Sequence, residues 1–219
     1  MKKIIRIATR KSPLALIQAN IVKHLLEQTN DFNTVDLIPM STSGDTETKE
    51  VFKARGGKGL FLKELEQSLL DDDADIAVHS LKDVPASLDK RFSLLTITER
   101  ADPSDVLISK KFKSINSLPN GALIGTSSPR RIALLKAASN NIKIKEIRGN
   151  IQTRIDKLKN EDLDGIILAA AGIHRLSIDS DYSNKIPSDI FIPSAGQGVL
   201  CVEYLKKNKQ LTNILAKHV

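Results

Sequence analysis

The chain has 219 residues, 41% of them hydrophobic and 27% charged, which excludes disorder for the bulk of it and suits one large domain or two small ones. Lys and Arg outnumber Asp and Glu by 33 to 26, a formal net charge of +7 that favours acidic partners: nucleic acid, an anionic membrane or a polyanionic small molecule. Aromatics are 4% with no Trp, which disfavours a base-stacking single-strand binder, and the single cysteine, Cys201, excludes an internal disulfide or a cysteine zinc cluster.

In chain order, the N-terminal MKKIIRIATRKSPLAL resembles a signal peptide only briefly, because Arg6, Arg10 and Lys11 interrupt the apolar run. No apolar run approaches membrane-spanning length, so the expectation is a soluble cytoplasmic protein with no membrane partner. IIRIAT (Ile4–Thr9) reads as a strand, and Ser12 before Pro13 as a helix cap, with Leu14, Ile17, Ile21 and Leu25 following at helical spacing. VDLIPM is a second strand. Ser41–Gly59 is polar and aperiodic, long enough for a functional or mobile loop. LFLKELEQSLL is a helix with Phe61, Leu65 and Leu69 on one face; ADIAVHS and FSLLTIT are strands.

The polar stretch Glu99–Asp105 marks a linker. A second series follows: DVLIS, ALIGTSS, a helix from Pro129, IKIKEIRG, a helix from Ile151, and DGIILAAAG. Ile192–Gly198 is another hinge-like stretch, VLCVEYL a last strand, and Lys206 to His218 a helix. Alternating strands and helices predict α/β architecture with mainly parallel sheets, in which ligands bind at the carboxyl ends of strands. The polar clusters fall at those ends: TRKS, HSLKD, TSSPRR and RGNIQTR.

In GTSSPRR, Thr126, Ser127 and Ser128 supply hydroxyls at a helix start, and Arg130 and Arg131 sit where cations oppose the helix dipole. An anion would compensate them; a solvated arginine pair is the plain alternative. IRGNIQTR repeats the arrangement with Arg148, Asn150 and Arg154, and AGIHRL adds Arg175, which taken alone reads as surface. With Arg10, Lys58 and Lys82 these cations suit either one ligand with several carboxylates or a phosphate backbone. Asp83 is the lone carboxylate among them: a proton carrier, a group holding an N–H or cationic ligand, or simply the ion-pair partner of Lys82 or an Arg. GGKG lacks the spacing of a phosphate-binding loop, the histidines lack metal-ligand spacing, His79 reads as a hydrogen-bonded anchor and DDDAD as a solvated helix end, so no metal is expected.

These clusters, in this order, resemble the porphobilinogen deaminase (hydroxymethylbilane synthase) family of tetrapyrrole (heme) biosynthesis. RIATRKSPLAL, GGKGLFLKELE, DIAVHSLKDVP, GTSSPRR, IRGNIQTR, ILAAAGIHRL and PSAGQG carry the resemblance across nearly the whole chain. It implies two periplasmic-binding-protein-like α/β domains with mainly parallel mixed sheets and an interdomain cleft. Domain 1 would be residues 1–98 plus 199–219, and domain 2 residues 99–198. It implies a transferase that joins four porphobilinogen molecules head to tail with loss of ammonia. Asp83 is then the catalytic acid/base at the pyrrole N–H groups. Arg10, Lys82, Arg130, Arg131, Arg148, Arg154 and Arg175 bind carboxylates of substrate, growing polypyrrole and cofactor. Ser12, Ser80, Thr126, Ser127 and Ser128 add hydrogen bonds, Phe61 stacks near a pyrrole, and Lys58 belongs to a mobile loop.

The resemblance also implies a dipyrromethane cofactor held by a cysteine of a third, C-terminal domain. That domain is expected to be absent from this chain or supplied by a separate one, because Cys201 sits in an apolar strand and does not match the attachment cysteine. Ala54 stands where relatives often place Lys, and Pro129 where Leu is common. The alternative readings are a non-catalytic or split-enzyme remnant that binds polycarboxylate pyrroles, and a basic nucleic-acid module. The placement of the clusters at strand ends argues against the second.

Overall fold

A computed structural model describes residues 4–29, 31–43, 62–138, 141–178 and 182–218. The chain divides into two compact units, Met1–Arg100 with Val199–Val219, and Ala101–Gly198.

The first unit holds a five-stranded sheet in the order β2-β1-β3-β10-β4. Its strands are β1 (Ile4–Arg10), β2 (Thr34–Met40), β3 (Ile76–Ser80), β4 (Phe92–Thr96) and β10 (Leu200–Leu205). β1 runs parallel to β2 and β3, and β10 runs antiparallel to β3 and β4. Helix α1 (Pro13–Glu27) starts as the sequence predicts: Ser12 is the cap, its hydroxyl accepting from Ala15 N at 3.4 Å, and Pro13 occupies the first helical position.

The buried row of α1 is Gln18, Ala19, Val22 and Leu26, while Leu14, Ile17, Ile21 and Leu25, the residues whose spacing predicts the helix, are half-buried. The helix is apolar on two adjacent rows, so spacing alone does not say which row faces the sheet. Small Ala19 belongs to the row that lies closest. Helix α2 (Lys63–Leu70) buries Leu65 and Leu69 as predicted. α1 packs with Ile5, Ile7, Val202 and Tyr204 on one side of the sheet, and α2 with Ala8, Ala77 and Phe92 on the other. Each fully buried Ile or Leu contributes roughly 1.5–3 kcal/mol to this core.

The second unit repeats the plan with the order β7-β6-β8-β5-β9. Its strands are β5 (Asp105–Ile108), β6 (Leu123–Gly125), β7 (Lys143–Lys145), β8 (Gly165–Ala169) and β9 (Ser183–Lys185). β6 is parallel to β7 and β8; β5 is antiparallel to β8 and β9. Helices α3 (Pro129–Ala138), α4 (Ile151–Asn160) and α5 (Ala170–Arg175) follow β6, β7 and β8. β9 is unpredicted: its residues, Ser-Asn-Lys, carry no apolar alternation. The last helix, α6, spans Lys209–Leu215 and starts later than the predicted Lys206, because Asn208 caps it by accepting from Leu211 N at 3.1 Å.

Both sheets are therefore mixed, and the interior antiparallel strand of each, fourth in the order, has a common cause. β10 begins just after the chain re-enters the first unit at Val199, at Leu200 opposite Ser80; β5 begins just after it enters the second, at Asp105 opposite Ala169. A strand that starts at the edge where its neighbour ends must run the opposite way. Each unit is thus entered at the edge that carries its strand-end clusters.

Candidate functional site

In the first unit β1 and β3 are parallel neighbours, with Ile7 opposite Ile76 and Ala8 opposite Ala77, so both finish at one edge. Arg10 closes β1 there and is half-buried, and Ser12 caps α1. Ser80 closes β3, its hydroxyl accepting from Gln18 Nε2 at 2.9 Å, a bond that ties α1 to the strand end. Leu81–Asp83 then form a short 3-10 turn, anchored where Leu81 N donates to Val199 O at 3.0 Å. Lys82 is half-buried on this turn. Asp83 is exposed and, among the described residues, makes no hydrogen bond or ion pair. It does not form the Lys82 or arginine ion pair that was the plain alternative for it.

His79, one residue before Ser80, is buried and its Nε2 lies 3.0 Å from Glu203 Oε2. It is the hydrogen-bonded anchor that the sequence suggested. Cys201 is fully buried, its thiol facing the His79 carbonyl at 3.7 Å. Burial, with the charges of Glu203 and Asp83, pushes that thiol up to about 12. Lys58 and Phe61, and the Ser41–Gly59 loop beyond Ser43, lie outside the described residues.

In the second unit the parallel strands β7, β6 and β8 bring three clusters to one edge. After β6, Thr126 is buried, its backbone N–H donates to Lys145 O at 3.0 Å and its hydroxyl accepts from Ser128 N at 3.2 Å. Ser127 donates to the Ile147 carbonyl, and Ser128 Oγ accepts from Arg131 N at 3.4 Å. Gly125 has to be small: an added Cβ would stand 2.9 Å from Ile147 Cδ1. After β7, Arg148 is half-buried beside Glu146 at 3.3 Å, and Gly149 turns the chain at φ +109°. Asn150 caps α4 by accepting from Thr153 N at 2.9 Å, and Arg154 Nε donates to Gly149 O at 2.8 Å. After β8, Arg175 Nη2 donates to Gly198 O at 2.9 Å, and burial lowers its pKa.

The two arginines of GTSSPRR converge on a residue the sequence reading passed over. Asp105 is fully buried at the start of β5, with Arg130 Nη2 and Arg131 Nη2 each 2.7 Å from its carboxylate. Burial alone would raise that carboxyl, but the Arg131 charge and hydrogen bonds from Arg131, Arg130 and Gln197 outweigh it and hold it below the ordinary range. Gln197 was missed as well. The available signal was the Asp-Pro-Ser-Asp of the linker, whose last residue opens an apolar strand where a charge needs a partner.

Each unit therefore presents an edge rich in cations and hydroxyls. In the first, a solvent-facing carboxylate stands among them; in the second, one carboxylate is buried under two arginines. The two units, each a mixed five-stranded sheet with helices, belong to the class of two-unit α/β folds. The fold resembles that of a probable amino-acid transporter extracellular-binding protein, ytmK, from Bacillus subtilis, at TM-score 0.58 and 12% identity over 100% of this chain and 90% of that one. It also resembles the methionine-binding protein MetQ, at TM-score 0.55 and 13% identity over 97% and 87%. Residues 5–213 match the family described as porphobilinogen deaminase, dipyromethane cofactor binding domain, and the chain belongs to that family. Porphobilinogen deaminases of Legionella pneumophila strains Paris and Lens are each 51% identical to it over 201 residues, 92% of this chain and 65% of theirs. The chain thus spans just under two thirds of the length of the curated relatives it matches.

Proposed function

We propose that the chain carries the porphobilinogen-condensing machinery of a hydroxymethylbilane synthase, a cytoplasmic transferase that joins four porphobilinogen units and releases ammonia. The observation that carries this reading is Asp83: an exposed carboxylate, unpaired among the described residues, at a strand end shared with Arg10, Lys82, Ser12 and Ser80, in a chain of this family. Loss of ammonia from an aminomethyl pyrrole breaks a C–N bond and leaves positive charge on the ring. A carboxylate at the pyrrole N–H favours that charge and can carry a proton to the leaving nitrogen. Arg10 and Lys82 in the first unit, and Arg130, Arg148, Arg154 and Arg175 in the second, bind the acetate and propionate groups, with the cluster hydroxyls as added donors.

A dipyrromethane, when bound, supplies the primer from which the chain grows. Its carboxylates are complementary in charge to the cations at each unit's strand ends. Covalent attachment does not fit Cys201, a buried thiol held protonated at neutral pH. The attachment cysteine is therefore proposed to lie outside these residues. The proposed domains are residues 1–98 plus 199–219 and residues 99–198, a boundary two residues before the division of the compact units after Arg100.

Incubation with porphobilinogen, followed by an ammonia assay and denaturing intact mass, tests the reading. Ammonia release with mass increases in pyrrole-sized steps supports it. Tight porphobilinogen binding by calorimetry with no ammonia and an unchanged mass would instead assign the chain to polycarboxylate binding alone.

A further inference from the structure

Both oxygens of the buried Asp105 carboxylate are engaged. Oδ1 accepts from Arg131 Nε at 3.1 Å, Arg131 Nη2 at 2.7 Å and Gln197 Nε2 at 3.1 Å, while Oδ2 accepts from Arg130 Nη2 at 2.7 Å. The two arginines are adjacent in sequence but differ in environment. The Arg131 side chain is 7% exposed and its Nη1 donates to the buried Ile167 carbonyl at 2.9 Å. The Arg130 side chain is 26% exposed, and its Nη1 donates to the carbonyl of Ile192, itself an exposed residue.

Gln197 joins this cluster to the points where the chain enters and leaves the unit. Its Nε2 also donates to Pro103 O at 2.6 Å, and Ala101 N donates to Gly198 O at 3.1 Å. Pro103 follows the entry at Ala101, and Gln197 precedes the exit at Gly198.

We propose that Asp105 and Gln197 are positioning residues for the second unit's anion site: they fix Arg130 as the guanidinium that meets a ligand carboxylate and make Arg131 a strut that does not meet it. The inference rests on the polycarboxylate reading above. Two guanidinium groups share one carboxylate, so the cluster keeps one positive charge. Arg131 cannot supply it to a ligand without leaving Asp105, which would strand a buried charge. Arg130 can exchange an exposed carbonyl for a ligand oxygen while Oδ2 still holds its other arm. Gln197 suits the third bond to Oδ1 because it donates without adding charge.

The test uses the full chain with 15N-labelled arginine side chains, titrated with benzene-1,2,4,5-tetracarboxylate, a rigid aromatic tetraanion. Before titration, the Arg131 Nε–H signal is expected in slow exchange with water. On titration the Arg130 signals shift and the Arg131 Nε–H signal stays in place. Asp105→Asn loses the slow-exchanging signal and binds the probe about tenfold more weakly, the scale of a lost charge-assisted hydrogen bond. If Asp105→Asn fails to fold, Gln197→Met keeps the volume and removes the donor; it is expected to weaken binding about threefold, the scale of one neutral hydrogen bond. Movement of Arg131 together with Arg130, or wild-type affinity in either folded variant, overturns the proposal. Shifts at Arg148 or Arg154 without Arg130 overturn it and leave the polycarboxylate reading standing. No shift at any arginine sinks that reading and the role of Arg130 with it.

Discussion

His79 on β3 and Glu203 on β10 meet 3.0 Å apart, both buried, four residues before the turn residue Asp83. The pair joins the strand that delivers Lys82 and Asp83 to the strand that re-enters the first unit, and Leu81 N to Val199 O adds a backbone tie between the same segments. Glu203 Oε1 finds no hydrogen-bond partner among the described residues, so the carboxylate is already under-satisfied. Burial and the Glu203 charge also raise the pKa of nearby Glu66. Glu203→Ala leaves the His79 ring nitrogen buried without its partner and is expected to cost about 2–3 kcal/mol. Urea unfolding of the variant beside wild type measures the loss, and an unchanged midpoint would show that the pair contributes nothing.

Asp83 is the converse case, exposed and without a hydrogen bond or ion pair among the described residues. Asp83→Asn should therefore shift stability by no more than about 0.5 kcal/mol, as surface changes away from special contacts do. Ammonia release from porphobilinogen should fall by at least about a hundredfold, the lower range for a positioned acid–base group. Thermal melting and the ammonia assay on one preparation separate the two effects. Equal turnover would remove Asp83 from the chemistry.

Cys201 is expected to be silent. With the thiol pushed up to about 12 by burial, Glu203 and Asp83, the nucleophilic thiolate is scarce in the folded state. Iodoacetamide near pH 8, about half a unit below the ordinary cysteine value, should leave the native chain unmodified and label it fully in urea. Rapid labelling of the native chain would return Cys201 to consideration as a reactive site.

Much of this was legible in the sequence, for identifiable reasons. The strand ends could be read because β-branched runs such as Ile4–Ile7 stop abruptly at polar residues, and Ser12–Pro13 and Asn150 are cap signals with a local mechanism. What stayed hidden was long-range. Nothing near Asp105 in sequence announces that Arg130, Arg131 and Gln197 fold onto it, and the row of α1 that packs on the sheet is set by the partner surface rather than by helix spacing. The interior antiparallel strands, β10 and β5, were hidden for the same reason. Their direction follows from where the chain enters each unit, whereas alternation of strands and helices speaks only for parallel pairs.

Asp105 also sets a direction for acid sensitivity. Its folded carboxyl lies below the ordinary range, so the folded state releases this proton more readily than the unfolded one. The resulting stabilisation is fully present above the unfolded value near 3.9 and is lost as pH falls through the folded value. Urea midpoints of wild type should therefore drop as pH falls below about 4, by more than those of Asp105→Asn over the same range. Parallel pH profiles would show that Asp105 contributes no such linkage.

Gly149 joins backbone geometry to the placement of Arg154. Its φ of +109° is outside the range that L side chains readily adopt, and an added Cβ would stand 2.7 Å from Thr153 Cγ2. Thr153 cannot easily withdraw, because its N–H and hydroxyl both donate to the Asn150 cap, at 2.9 and 3.0 Å. Gly149→Ala should therefore cost about 1–3 kcal/mol. Relief of that strain would swing the Gly149 carbonyl away from Arg154 Nε, which it now holds at 2.8 Å. Thr153→Gly removes both colliding atoms, Cγ2 at 2.7 Å and Cβ at 2.8 Å. Combined with Gly149→Ala, it should recover the clash component and leave the cost of positive φ. Melting of the two single variants and the double variant measures that coupling; strict additivity would show that the Cβ contact is relieved without strain, leaving the backbone dihedral as the whole reason for glycine.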